Sequence, residues 1–99
     1  MKISVIIPTC NRKESLREVL EAYSRQTFKD FEIIIVDDGS ADGTGKLVEA
    51  LRLPYQIKYI WQENSGPAVA RNRGLKEARS EIVFFTGDDI FPEEDLLEQ

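Results

Sequence analysis

Two pairs of adjacent carboxylates, Asp37-Asp38 and Asp88-Asp89, are the residues of this chain best placed to do chemistry. Each follows an apolar run: Ile33-Ile34-Ile35-Val36 precedes the first pair, and the segment Glu81 to Phe85 comes shortly before the second. A carboxylate just past a strand can accept hydrogen bonds from a ribose or a base N–H. Adjacent carboxylates can also share a divalent cation, because magnesium and manganese prefer oxygen ligands and often take one or two carboxylates plus substrate phosphates. Each pair alone also suits a structural role, as a cap for the turn that follows it. Together they argue for a ligand, since like charges gathered on one edge destabilise it unless something cationic binds. The third constellation is Gly66-Pro67-Ala68-Val69-Ala70-Arg71-Asn72-Arg73-Gly74. A helix start beside a sheet edge favours phosphate, and the planar fork of Arg71 suits a diphosphate. The alternative is that Arg71 and Arg73 lie on a solvated face.

These groups need a scaffold, and the hydrophobic pattern supplies one. Ile3 to Ile7 reads as a first, central strand ended by Pro8, which cannot donate a ladder hydrogen bond. Thr9 or Asn11 is positioned to cap the next helix. Leu16, Val19, Leu20 and Tyr23 fall at helical spacing between Arg12 and Arg25. Phe31 to Val36 is a strand buried on both faces, as in a parallel sheet. Asp42 or Thr44 caps a helix from about Gly45 to Arg52, which Pro54 ends. Gln56 to Trp61 alternates and reads as a strand nearer the edge. Pro67 opens a helix over Ala68 to Ala78, with Ala68, Ala70 and Ala78 set close to the sheet. Glu81 to Phe85 is a fourth strand, and Pro92 opens a fourth helix from Glu93 to Gln99. The alternation of about four strands and four helices predicts a three-layer α/β/α fold with a mostly parallel sheet.

Composition narrows the function. With 99 residues the chain makes one domain at most. Its net charge of −5 argues against a nucleic-acid partner. It contains no histidine, which excludes a Ser-His-Asp or Cys-His catalyst within the chain. Cys10 is the single cysteine, so no intrachain disulfide forms, and it reads as a small buried residue. Trp61 reads as packing. No secretory signal or membrane span is present in the sequence. The sequence stops inside a helical pattern, which is expected of the front part of a longer protein. An exposed sheet edge and apolar surface are then expected, with self-association as a consequence.

Five stretches, in order, resemble the signature of family 2 glycosyltransferases. They are Val5-Ile6-Ile7-Pro8-Thr9-Cys10-Asn11-Arg12, Gln26-Thr27-Phe28, Val36-Asp37-Asp38-Gly39-Ser40-Ala41-Asp42-Gly43-Thr44, the segment Gly66 to Gly74, and Asp88-Asp89. The resemblance implies the Rossmann-like, nucleotide-binding half of a GT-A fold over residues 1–99. It also implies transfer of a sugar from a nucleotide-diphosphate donor, commonly a UDP-sugar, to a sugar or lipid-linked acceptor, with inversion. Pro8 and Thr9, with Asn11 beside them, would then line the base and ribose pocket. Asp38 would hydrogen-bond the base, leaving Asp37 mainly to the turn. Gly66 and Arg71 would lie beside the nucleotide and diphosphate. Asp88 would sit near the ribose or metal, and Asp89 would hold Mn²⁺ or Mg²⁺. Thr86 departs from the family pattern, where an aspartate is common. The family's catalytic base is a carboxylate expected beyond Gln99, so this chain is expected to supply donor and metal binding only. The expected location is cytoplasmic, peripheral to the inner face of a membrane.

Three other readings compete. A nucleotidyltransferase would place a glycine-rich loop after the first strand, where Pro8-Thr9-Cys10-Asn11 stands instead. A non-catalytic nucleotide-binding module fits the missing base. A receiver-type signalling domain would need an acid ending the third strand, which here ends in Trp61-Gln62.

Overall fold

The computed structural model describes residues 2–98. Four parallel strands form one sheet: β1 (Ile3–Thr9), β2 (Phe31–Asp38), β3 (Gln56–Gln62) and β4 (Ile82–Phe85), in the order β3-β2-β1-β4. Three α-helices connect them: α1 (Lys13–Tyr23), α2 (Thr44–Ala50) and α3 (Pro67–Glu77). The expected α/β class, the central first strand and the edge position of the third are all borne out. The chain steps outward from β1 to β3, then crosses back over β1 to place β4 on its far side. That reversal puts a topological switch point between β1 and β4, and open α/β sheets bind ligands outside the carboxyl ends of their strands at such points.

The isoleucine-rich strands are buried because both sheet faces are covered. Val5, Ile7, Ile33 and Ile35 meet Leu16, Val19, Leu20 and Tyr23 of α1 and Val48 of α2 on one face. Ile6, Ile34, Val36 and Ile60 meet Ala70 of α3 on the other. Of the three alanines expected against the sheet, Ala70 is buried, Ala78 packs partly and Ala68 is exposed. The closest approach is instead at Gly74, where an added Cβ would lie 2.5 Å from Ile6 Cγ2.

Several expectations are corrected. Pro8 does not end the first strand: β1 runs through it to Thr9, which pairs with Asp37. β2 continues through both acids, because Asp37 pairs with Thr9 and Trp61, and Asp38 with Gln62. Neither Thr9 nor Asn11 caps α1; Arg12 holds the cap position, and Asp42 of a different loop accepts the Lys13 N–H at 3.2 Å. Gly43, with φ 88°, holds the cap position of α2. The last helix is absent: only a 3₁₀ turn, Leu96–Glu98, forms there among the described residues, and Gln99 lies outside them. Its backbone groups have other partners. Gln26, fully buried, donates to the Glu93 carbonyl at 2.6 Å and accepts the Leu97 N–H at 3.0 Å. The Glu94 carbonyl takes the Thr27 N–H. A carbonyl engaged by the 26–27 connection gains less from an i→i+4 bond.

Trp61 does not pack as expected; it is exposed, as are Val69, Leu75, Ile82, Phe85, Ile90 and Phe91. Cys10 is half-buried. No helix among the described residues is long and apolar enough to cross a membrane.

Candidate functional site

The site is built on the carboxyl edge of the sheet, from the ends of β1, β2 and β3 and the segment after β4. Asp38, at the last position of β2, organises one side of it. Its Oδ1 accepts hydrogen bonds from Gln62 Nε2 at 2.9 Å and from the Ser65 N–H at 2.8 Å, and its Oδ2 accepts the Gly66 N–H at 3.0 Å. Gly66, with φ 97°, is the residue just before α3. One carboxylate therefore draws the start of α3 to the end of β2. The bond from Gln62, followed by that from Ser65, holds the Asp38 carboxyl below its ordinary pKa. A carboxylate has about four acceptor positions, so one remains for an incoming N–H or O–H. Gln62 was not foreseen, although strand register alone would have set it opposite Asp38.

Asp88 ties the other side together. Its Oδ2 accepts the Thr9 hydroxyl at 2.8 Å, and its main-chain carbonyl accepts the Ser15 hydroxyl at 2.7 Å. Arg12 Nη1 lies 3.7 Å from Asp88 Oδ1 and 3.4 Å from Asp89 Oδ2. The two acids differ in access: the Asp88 side chain is 11% exposed and that of Asp89 61%. Asp89 is thus the carboxylate more open to an external ion. Arg12 is a counter-charge that the sequence reading did not assign.

Asp37 is fully buried and serves the turn, accepting the Ser40 N–H at 2.9 Å. Asn11, at φ 53°, braces the same turn: its N–H donates to Ser40 Oγ at 2.8 Å, and its Oδ1 accepts the Ala41 N–H at 2.7 Å. Pro8 lies half-buried opposite Val36. The fold thus brings Pro8, Thr9, Asn11, Asp38, Gly66 and Asp88 to one edge. Arg71 stands four residues along α3 from Pro67, exposed, with no hydrogen bond or ion pair among the described residues. Cys10 lies between the two groups; burial first, then the charges of Asp38 and Asp37, push its thiol up. A raised thiol is a poor nucleophile.

Among the described residues no three acidic, cysteine or histidine side chains gather as a metal cluster. A divalent ion would have Asp88 and Asp89 as its protein ligands. Two hard oxygen donors suit magnesium or manganese, which complete their shells with water and phosphate. A cavity of about 870 Å³ lies elsewhere, between α2 and β3, lined by Val48, Leu51, Leu53, Tyr55, Ile57 and Tyr59 among others. The acid pairs are absent from its walls; they occupy an open edge.

Known proteins resemble this chain in sequence and in fold. A β-1,3-glucosyltransferase of Campylobacter jejuni, named for a GalNAc(5)-diNAcBac-PP-undecaprenol substrate, is 42% identical over 91 residues, covering 89% of this chain and 29% of that protein. The crystal structure of S. aureus TarS residues 1–349 in complex with UDP-GlcNAc superposes with a TM-score of 0.92 at 37% identity, covering 99% of this chain and 29% of that one. The mannosyltransferase PcManGT of Pyrobaculum calidifontis, in complex with GDP-Man and Mn²⁺, gives 0.90 at 30% identity, covering 97% of this chain and 30% of that one. The chain spans about 15% of the length of the first curated relatives that it matches. The family model for glycosyl transferase family 2 matches residues 4–99, and this chain belongs to that family.

Proposed function

We propose that this chain binds the nucleotide-diphosphate donor of a glycosyl transfer, a UDP-sugar, together with Mn²⁺ or Mg²⁺. The observation that carries the reading is the convergence of Asp38, Gly66, Thr9 and Asp88 on one strand edge. Asp38 offers its free acceptor position to the base. Pro8 and Thr9 line the base and ribose, and Asn11 holds the loop that carries them. The Gly66 end of α3 and Arg71 face the diphosphate, where aligned N–H groups and a guanidinium favour negative charge. UDP-GlcNAc in the TarS complex, and GDP-Man with Mn²⁺ in the PcManGT complex, support this assignment.

Asp88 and Asp89 would hold the ion, and Arg12 must release them for it to bind. A bound divalent ion would neutralise charge on the leaving diphosphate. In the complete reaction an acceptor hydroxyl loses its proton to a base and its oxygen bonds to the anomeric carbon. The bond from that carbon to the diphosphate oxygen breaks from the opposite face, with inversion. Arg71 stabilises the diphosphate as negative charge builds on it. The acceptor is a sugar or a lipid-linked sugar, a choice supported by the undecaprenol-linked substrate in the name of the Campylobacter relative. Such an acceptor suits a cytoplasmic protein peripheral to the inner face of a membrane. None of these roles supplies the base, so the 99-residue chain alone is expected to turn over no acceptor.

Calorimetry with UDP, with and without Mn²⁺, tests the reading. Weak, saturable binding is expected. No heat at millimolar UDP, in a sample shown to be folded, contradicts it.

A further inference from the structure

We propose that Tyr59, on the edge strand β3, is a positioning residue for the nucleotide subsite, acting through Asp37, Ser40 and Asn11. The inference rests on the nucleotide-binding reading above. Tyr59 Oη donates to Asp37 Oδ2, and Asp37 is fully buried. The other oxygen of Asp37 takes the Ser40 N–H at 2.9 Å. Ser40 Oγ takes the Asn11 N–H at 2.8 Å, and Asn11 Oδ1 takes the Ala41 N–H at 2.7 Å. These bonds run unbroken from the edge strand to the loop after β1, next to Thr9. They also brace Asn11 at φ 53°, a left-handed backbone state in which asparagine is one of the non-glycine residues most often found.

Tyr59 is suited to start this chain. Its ring is set against the first turn of α2, where a Cβ on Gly45 would lie 3.1 Å from the hydroxyl oxygen. Burial, then the bond to Asp37, hold its phenol well above the ordinary tyrosine pKa, so the proton stays in place to be donated. Asp37 has no other side-chain donor on that oxygen among the described residues. Loss of the phenol leaves one oxygen of a buried carboxylate unsatisfied, and such a group is costly to keep in place. The carboxylate then has reason to turn, and the 39–41 turn and Asn11 turn with it.

Tyr55 provides a matched control. Its hydroxyl donates to the Leu20 carbonyl, outside this network. The test compares Tyr59→Phe with Tyr55→Phe by amide hydrogen exchange and by UDP calorimetry on the full chain. Tyr59→Phe should speed exchange at Asn11, Ser40 and Ala41 by about tenfold and weaken UDP by about three- to tenfold, the scale of one ordinary net hydrogen bond, because the effect reaches the nucleotide only through the turn. Tyr55→Phe should lower the melting temperature but leave both readouts as in wild type. Ser40→Ala breaks the chain at a half-buried position and serves if Tyr59→Phe does not fold; it should release the Asn11 amide and weaken UDP likewise. Unchanged exchange at the three amides in Tyr59→Phe overturns the proposal whatever UDP does. Equal loss of UDP affinity in Tyr55→Phe overturns it too, by showing general destabilisation. Failure of the wild-type chain to bind UDP overturns the underlying reading, and is seen before any variant is made.

Discussion

Gly74→Ala tests how α3 is seated, and with it the placement of Gly66. An added Cβ would lie 2.5 Å from Ile6 Cγ2, 3.3 Å from Val36 Cγ2 and 3.4 Å from Ile6 Cδ1. Carbon atoms rest at about 3.5–4.0 Å, so the first contact alone demands a shift of about 1 Å. Ile6 and Val36 are fully buried, on strands that each pair with a neighbour on both sides, and cannot retreat. The helix must lift instead. Overpacking of this kind costs about 1–3 kcal/mol, and the better helix propensity of alanine returns about 1 kcal/mol. The expected net loss is about 1 kcal/mol, or a fall of about 4–8 °C in melting temperature for a domain of this size. Lifting α3 also pulls the Gly66 N–H away from Asp38, so UDP affinity should drop in the same variant. Thermal and urea unfolding followed by circular dichroism measure the first effect. Ala68→Gly, at an exposed position in the first turn of the same helix, should lose less than the ~1 kcal/mol of an interior site. A rise in melting temperature for Gly74→Ala would refute the close seating of α3.

Three further perturbations bear on the site and its frame. Asp38→Asn lets the amide oxygen serve one side only and turns its NH₂ towards an N–H donor, for a loss of about 1–3 kcal/mol at neutral pH. Because the Asp38 carboxyl is held below its ordinary pKa, its stabilisation is complete above about 3.9 and disappears as the pH falls through the lower folded value. The gap between wild type and variant in urea midpoint should therefore close in strong acid; a constant gap from pH 7 to pH 2.5 contradicts the carboxylate's role. Gln26→Ala removes two of the bonds that dock residues 93–97 and leaves those from Thr27 to the Glu94 carbonyl, so limited proteolysis should cut after residue 91 faster, with about 1–3 kcal/mol lost. Cys10, with its thiol pushed up, should be alkylated by iodoacetamide more slowly at pH 8 in the folded chain than in urea; equal rates would contradict its burial, with the acids beside it, as the cause.

Much of the fold was legible because its strands are strongly patterned. Ile33 to Val36 is apolar at every position, and each residue proves fully buried. The α1 stripe of Leu16, Val19, Leu20 and Tyr23 is likewise buried throughout. What escaped the sequence reading depends on partners distant in the chain. Glu93 to Gln99 carries helical spacing, but Gln26 and Thr27 take the backbone groups that a helix would use. Gly74 acquires its packing role only once Ile6 is placed beneath it. In the site, the acid pairs were visible as unexplained charge, whereas Arg12, Gln62 and Tyr59 acquire roles only once strand order sets them beside Asp89, Asp38 and Asp37. Trp61 alternates like a packed strand residue, yet it lies at the outer edge and is exposed.

In the proposed function the two acid pairs divide the labour, Asp38 serving the base and Asp89 the metal. UDP titration of wild type, Asp38→Ala and Asp89→Ala, each with and without Mn²⁺ and each shown to be folded, tests that division directly. Asp38→Ala should weaken UDP by about tenfold in both conditions, as the base loses a charged partner. Asp89→Ala should bind UDP as wild type does without Mn²⁺, and should lose the gain that Mn²⁺ brings. If the two variants behave alike, the assignment of base to Asp38 and metal to Asp89 is wrong.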